Sequence, residues 1–194
     1  MNRNLAVAAL LAFVAAGPVL AQSAAPTVQR DIHQQQRIQQ GLQNGAITTR
    51  EAAALQRGEA RVDHLQAKAL KDGTLTGAEA ARLDAAQDKT SHAIAAAAHN
   101  SVTGDPGTAS SQRIQADVQR NIRQDQRIQQ GLQSGELTHH EAARLERGQA
   151  QVHRQQARAG RDGHVGAHEQ RHVQHAQNHQ SRRIHRQKHD GQQR

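Results

Sequence analysis

The chain has 194 residues, a formal net charge of +8, no Cys, Trp or Tyr, and one Phe and one Met. Without cysteine, no disulfide and no thiolate metal site can form. With Phe13 the one aromatic residue of the chain, no platform for base-stacking recognition of nucleic acid is available.

The first 21 residues read as an export signal. Arg3 supplies the charge of a short n-region, 5–16 form an apolar stretch, and Val19-Leu20-Ala21 ends in small residues. Cleavage is expected after Ala21, and the protein is expected in the periplasm or secreted medium. The apolar stretch is too short for a membrane span. The only Met and the only Phe, Met1 and Phe13, leave with the signal. Loss of Arg3 leaves 24 basic and 17 acidic side chains, a mature charge of +7. Large aliphatics then form roughly 14% of the chain, below the ~20% that accompanies well-cored domains, so little core is expected.

The sequence 28–73 returns at 118–163, with about 28 of 46 positions identical. Each copy predicts three helices with tight turns, since the helical blocks are free of proline. In the first copy Val28, Ile32, Ile38 and Leu42 share one helical face. Asn44-Gly45 ends that helix, Gly45 supplying a left-handed cap. Thr48 with Glu51 forms a capping box for the second helix, which Asp72-Gly73 closes. Thr76 with Glu79 opens the third. Ser134-Gly135, Thr138 with Glu141, and Asp162-Gly163 repeat the plan, but Gly166 stands where a cap hydroxyl is expected. Gly41, Gly58, Gly131 and Gly148 fall inside helices, where they are expected to soften them, close backbone approach being the alternative. Residues 100–111 have linker composition. The fold class is therefore all-α: two tandem units of three helices each, as helical hairpins or thin bundles, preceded by a signal helix. The boundaries are 1–21 signal, 22–99 first unit, 100–111 linker, 112–190 second unit and 191–194 tail.

The second unit is distinct in charge and chemistry. From Arg113 onward there are fifteen basic and eight acidic residues, and ten of the fourteen His lie from His139 onward. His164, His168, His172, His175 and His179 are spaced by four, four, three and four, which places them along one side of the last helix, opposite Val173 and Ile184. Imidazoles so spaced can hold Zn(II), Cu(II) or Ni(II), with Glu169, water or a second chain completing the shell. The first copy has Thr74, Ala78, Arg82, Ala85 and Lys89 at these positions, so the scaffold does not require histidine there. A solvated polar face is the competing reading. The basic residues Arg171, Arg182, Arg183, Arg186 and Lys188 suit an anionic envelope polymer or a protein partner, and self-association along the apolar stripe is a further option. No specific nucleic-acid motif is present. The run 72–79 resembles half of a calcium loop, but Lys68 and Leu70 occupy ligand positions, and the capping box explains the same residues. No phosphate loop, HExxH motif or nucleophile constellation occurs, and the carboxylates read as caps or helix-pair partners, so no enzyme is expected.

The phrases RIQQGLQSGELTHHEAARLERGQA and SRRIHRQKHDGQQR resemble a group of uncharacterised exported proteobacterial helical-repeat proteins. Their pattern is RI-x-QG-x-x-SG-x-LT-x-x-EA-x-x-LE with a C-terminal S-R-x-I-x-x-x-KHD run. The resemblance covers almost the whole second copy and implies a periplasmic helical protein without implying an activity. Gly166 and the alanine-rich 95–100 segment depart from the pattern.

Overall fold

The computed structural model describes residues 24–190 and contains six helices. They are α1 (Ala25–Gln43), α2 (Thr49–Ala69), α3 (Gly77–Ala98), α4 (Ala109–Ser134), α5 (His139–Ala159) and α6 (Ala167–Lys188). The expected signal 1–21, its cleavage point and the tail 191–194 lie outside the described residues. Among the described residues no helix is long and apolar enough to cross a membrane.

Local chemistry sets the helix boundaries. Thr48, Thr76 and Thr138 each accept from the backbone N–H of the Glu three residues on, and each Glu returns the bond to the cap. Gly166 caps α6 without a side chain. Gly45, Gly73, Gly135 and Gly163 take positive φ at the four turns that end α1, α2, α4 and α5, where a Cβ would be strained. The linker is shorter than its composition suggested: Thr108 accepts from Ser111 N–H, so 109–111 already belong to α4.

The two copies do not stand side by side as separate thin units. α2 packs mainly on α5, and α1 on α4, more extensively than either packs within its own copy. The N-terminal Arg50 of α2 donates to Asp162 O beyond α5 (2.9 Å), and His139 Nδ1 of α5 lies 2.6 Å from Gly73 O beyond α2. Midway, Asp63 meets His153. The helices thus run antiparallel about a pseudo-twofold axis, with α3 and α6 on the flanks. Val28, Ile32, Ile38, Leu42 and Leu55 of the first copy join Val118, Ile122, Ile128, Leu132 and Leu145 of the second in one buried cluster. This corrects the expectation of little core. Each copy has too few aliphatics for a core of its own, but pooling two stripes removes both from water.

At Gly41 and Gly131 the structure shows the close approach given as the alternative, not the softness expected first. The chain after α1 folds back so that Ile47 N–H donates to Gly41 O (2.9 Å), and the Ile47 side chain occupies the space a Gly41 Cβ would need. Leu137 does the same over Gly131, where a Cβ would lie 2.6 Å from Leu137 Cγ.

Candidate functional site

α6 carries the histidines on the side turned away from the molecule. Val173, Gln177, Gln180 and Ile184 are buried, whereas His168, His172, His175 and His179 are exposed. His164 is not on the helix: α6 starts at Ala167, and His164 sits in the preceding turn, its N–H donating to Asp162 Oδ1 (2.9 Å). A positive-φ Gly163 and the cap at Gly166 end the helical register before it. The remaining four divide by geometry. His168 and His172 present their Nε2 atoms to one another at 3.3 Å, with ring centroids 4.5 Å apart. His172, His175 and His179 border a shallow depression between α5 and α6, together with Gly148, Val152 and Arg183. Further on, His185 and His189 stack at 4.3 Å, and His189 Nδ1 lies 2.7 Å from His185 O. Glu169 lies beside His168 Nδ1 (3.7 Å), the ring edge turned from His172. Among the described residues no group of three His, Asp or Glu side chains is arranged to hold a metal ion.

The basic residues are distributed unevenly. Arg171, Arg182 and Arg186 are exposed. Lys188 is tied to Glu136 at 3.1 Å. Arg183 donates to Arg144 O (2.9 Å), and partial burial together with Arg147, Arg186 and Arg144 nearby pulls its guanidinium below its usual value. Arg144, Arg183 and Arg186 also border one surface hollow with Asp190.

The polar interior was not foreseen. Asp31 of α1, Glu59 and Asp63 of α2, Asp117 and Asp125 of α4, and Glu146 and His153 of α5 are all buried. Burial pushes the Asp31, Glu59 and Glu146 carboxyls well above the usual range, and their neighbouring carboxylates add to the rise. Asp117 and Asp125 are pushed up to about 7, again by burial. Burial raises Asp63 too, while His153 pulls it back. His153 would be lowered by burial, but the charge and hydrogen bond of Asp63 (2.7 Å) outweigh it and the imidazole is raised. Both Glu59 oxygens, one oxygen each of Glu146 and Asp125, and His153 Nε2 have no hydrogen-bond partner among the described residues.

Amides surround these acids in two matching networks. Gln87 donates to Asp31 Oδ1 (2.6 Å) and Thr27 O, and Gln66 also donates to Asp31. In the second copy Gln177 donates to Asn121 Oδ1 and Asp117 O (both 2.9 Å), and Gln156 exchanges bonds with Asn121. Five equivalent positions then differ in the same way: Asp31/Asn121, Gln35/Asp125, Gln56/Glu146, Glu59/Gln149 and Asp63/His153. In each, one copy has an acid and the other an amide or imidazole. A signal was present in the sequence, since Glu59 lies one turn from Leu55 and Val62, and Asp125 lies three residues from Ile122 and Ile128. Reading carboxylates as surface groups concealed it.

No protein-family model, curated protein or solved structure matches this chain.

Proposed function

We propose that the protein is a non-enzymatic, exported metal buffer that takes up Zn(II), Cu(II) or Ni(II) at the His168–His172 pair. One observation carries the reading: the 3.3 Å between the two Nε2 atoms. Two nitrogens bound to one tetrahedral zinc at about 2.0–2.1 Å stand about 3.3–3.4 Å apart, so these nitrogens already have the required separation, and rotation of the exposed rings would aim both at one ion. The remaining positions fall to water or to a second chain. A two-imidazole site exchanges its metal readily, which suits a buffer rather than a structural centre.

The test is calorimetric titration of Zn(II) into the mature chain and into H168Q/H172Q, with far-ultraviolet circular dichroism as the folding control. The expected result is a loss of at least tenfold in affinity at unchanged helicity. Equal uptake by the double variant would remove the pair from the function.

A second reading rests on a separate observation. Arg144, Arg183 and Arg186 border one hollow, and partial burial together with the charges of Arg147, Arg186 and Arg144 holds the Arg183 guanidinium below its usual value. Such crowding favours an anionic envelope polymer over solvent, because the polymer relieves mutual repulsion. Its binding to soluble polyphosphate would fall steeply between about 50 and 200 mM salt and survive H168Q/H172Q.

A further inference from the structure

The duplication produces two equivalent depressions, one between α2 and α3 and one between α5 and α6, and they have diverged. In the second, Gln180 extends over Gly148, fills the space above it and donates to Leu145 O (2.9 Å). Gly148 is thereby accounted for, since a Cβ there would collide with the Gln180 amide. The first copy has Thr90 at the matching position, a side chain too short to cross. Thr90 Oγ1 is occupied by Ala86 O (3.1 Å), and its nearest approach to a Cβ on Gly58 would be 3.3 Å. The groove of the first copy has about 300 Å³ and that of the second about 310 Å³, so the two differ in lining rather than in size.

Leu55 and Val62 form the buried floor of the first groove, with Ala86 beside them. Arg57 and Arg61 from α2 and Lys89 from α3 stand round it. None of the three has a hydrogen bond or ion pair among the described residues. No acid lines the groove: Glu59 and Asp63 are buried in the core, and Asp88 is engaged by Arg30. The second depression has Gln151 and His179 at the places of Arg61 and Lys89, and Arg183 is the one Arg or Lys that lines it, so the set of three fixed cations belongs to the first copy.

We propose that the α2–α3 groove binds a single-chain amphiphilic anion, a medium-chain carboxylate, with its alkyl chain along Ala54, Ala86 and Ala93 above the closed floor of Leu55 and Val62 and its head group between Arg57, Arg61 and Lys89. The exposed Ala54 and Ala93 and the half-buried Ala86 supply the hydrophobic term, and the Thr90 hydroxyl is already satisfied. Arginine forks suit a carboxylate by paired hydrogen bonds. The volume lies at the low end for small-molecule sites, which fits one chain rather than a two-chain lipid. The site is independent of α6 and its histidines.

The experiment is displacement of 11-(dansylamino)undecanoate from the full mature chain by dodecanoate. Displacement is expected at micromolar dodecanoate and not with dodecyltrimethylammonium, which has the same chain and the opposite charge. R57Q/R61Q should weaken dodecanoate at least tenfold. T90Q, which lays a longer side chain over Gly58 as Gln180 lies over Gly148, should weaken binding at unchanged helicity. R147Q should leave it unchanged. If dodecanoate displaces nothing, if both anion and cation displace equally, or if R57Q/R61Q binds like the parent, the proposal is overturned. Capture by phosphatidylglycerol vesicles without displacement by free dodecanoate would also overturn it, in favour of a membrane surface. R57Q/R61Q changes only exposed side chains, so the result does not depend on T90Q folding.

Discussion

At the scale of single residues, the decisive feature is a carboxyl placed where water does not reach. Glu59 is buried, and neither oxygen has a partner among the described residues. Its folded-state pKa lies above its unfolded one, so its neutral form is fully compatible with the fold below the unfolded value near ~4.3. As pH rises through the folded value, that compatibility is lost. Glu59→Gln removes the group that would have to ionise. Urea denaturation should therefore show the variant more stable than the parent at pH 8, by about 1–3 kcal/mol, and nearly equal at pH 4. Asp63 behaves differently because it holds His153. Asp63→Ala removes the partner that holds the His153 imidazole up against burial, and a loss of about 3 kcal/mol is expected at pH 6, the scale for breaking a buried pair from one side. A loss under about 1 kcal/mol would show that His153 finds water instead.

At the scale of elements, turns and caps were legible in the sequence because they depend on neighbours three or four residues away. The Thr–x–x–Glu boxes, the glycines at positive φ and the missing hydroxyl at Gly166 were readable from spacing alone. The exposed side of α6 was legible for the same reason, except at His164, where the helix had not yet begun. The helix-interior glycines were not. Nothing local says that Leu137 will double back over Gly131. Gly131→Ala would gain about 1 kcal/mol in helix propensity, yet its Cβ would sit 2.6 Å from Leu137 Cγ. Overpacking of this kind costs about 1–3 kcal/mol, so the variant should melt below the parent. Gly166→Ser tests the opposite direction. Its φ of −75° and ψ of 174° already suit a cap, and the Glu169 carboxylate, which would stand 2.5 Å from the new Cβ, lies at the end of a flexible side chain that can draw back to complete the box. The gain expected is only a few tenths of a kcal/mol, because glycine is itself a tolerable cap.

For the whole molecule, pairing between copies was beyond sequence reading. Periodicity identifies a buried face but not which helix covers it. The five acid-against-amide positions show their pattern only once the pseudo-twofold axis brings both copies to one core. Collectively they set an unusual pH response. Asp31, Glu59 and Glu146 are raised and Asp117 and Asp125 stand at about 7. Their contribution is full in acid and lost as pH climbs through about 7 and above. His153, also raised, follows the same sign. The carboxylates at the turns are lowered, Asp72 by the Thr74 N–H and Asp162 by the His164 N–H, so theirs is lost only when pH falls below their unfolded values near ~4. Stability should thus peak between about pH 4.5 and 6 and decline toward pH 9. Urea midpoints at pH 5, 7 and 9 read this directly, and a midpoint that rises steadily to pH 9 would contradict the buried-acid account.

The antiparallel pairing of the copies has a consequence for assembly. Each copy's binding face is filled by the other, and only the 99–108 connection makes that partner the chain's own. Two chains opened together can exchange halves, first copy of one with second copy of the other, and close into a swapped dimer with every interior contact retained. Concentrated refolding should yield such dimers, which dissociate slowly on dilution because separation requires the shared core to open. Shortening the connection should favour the exchanged form, and lengthening it should restore the single chain.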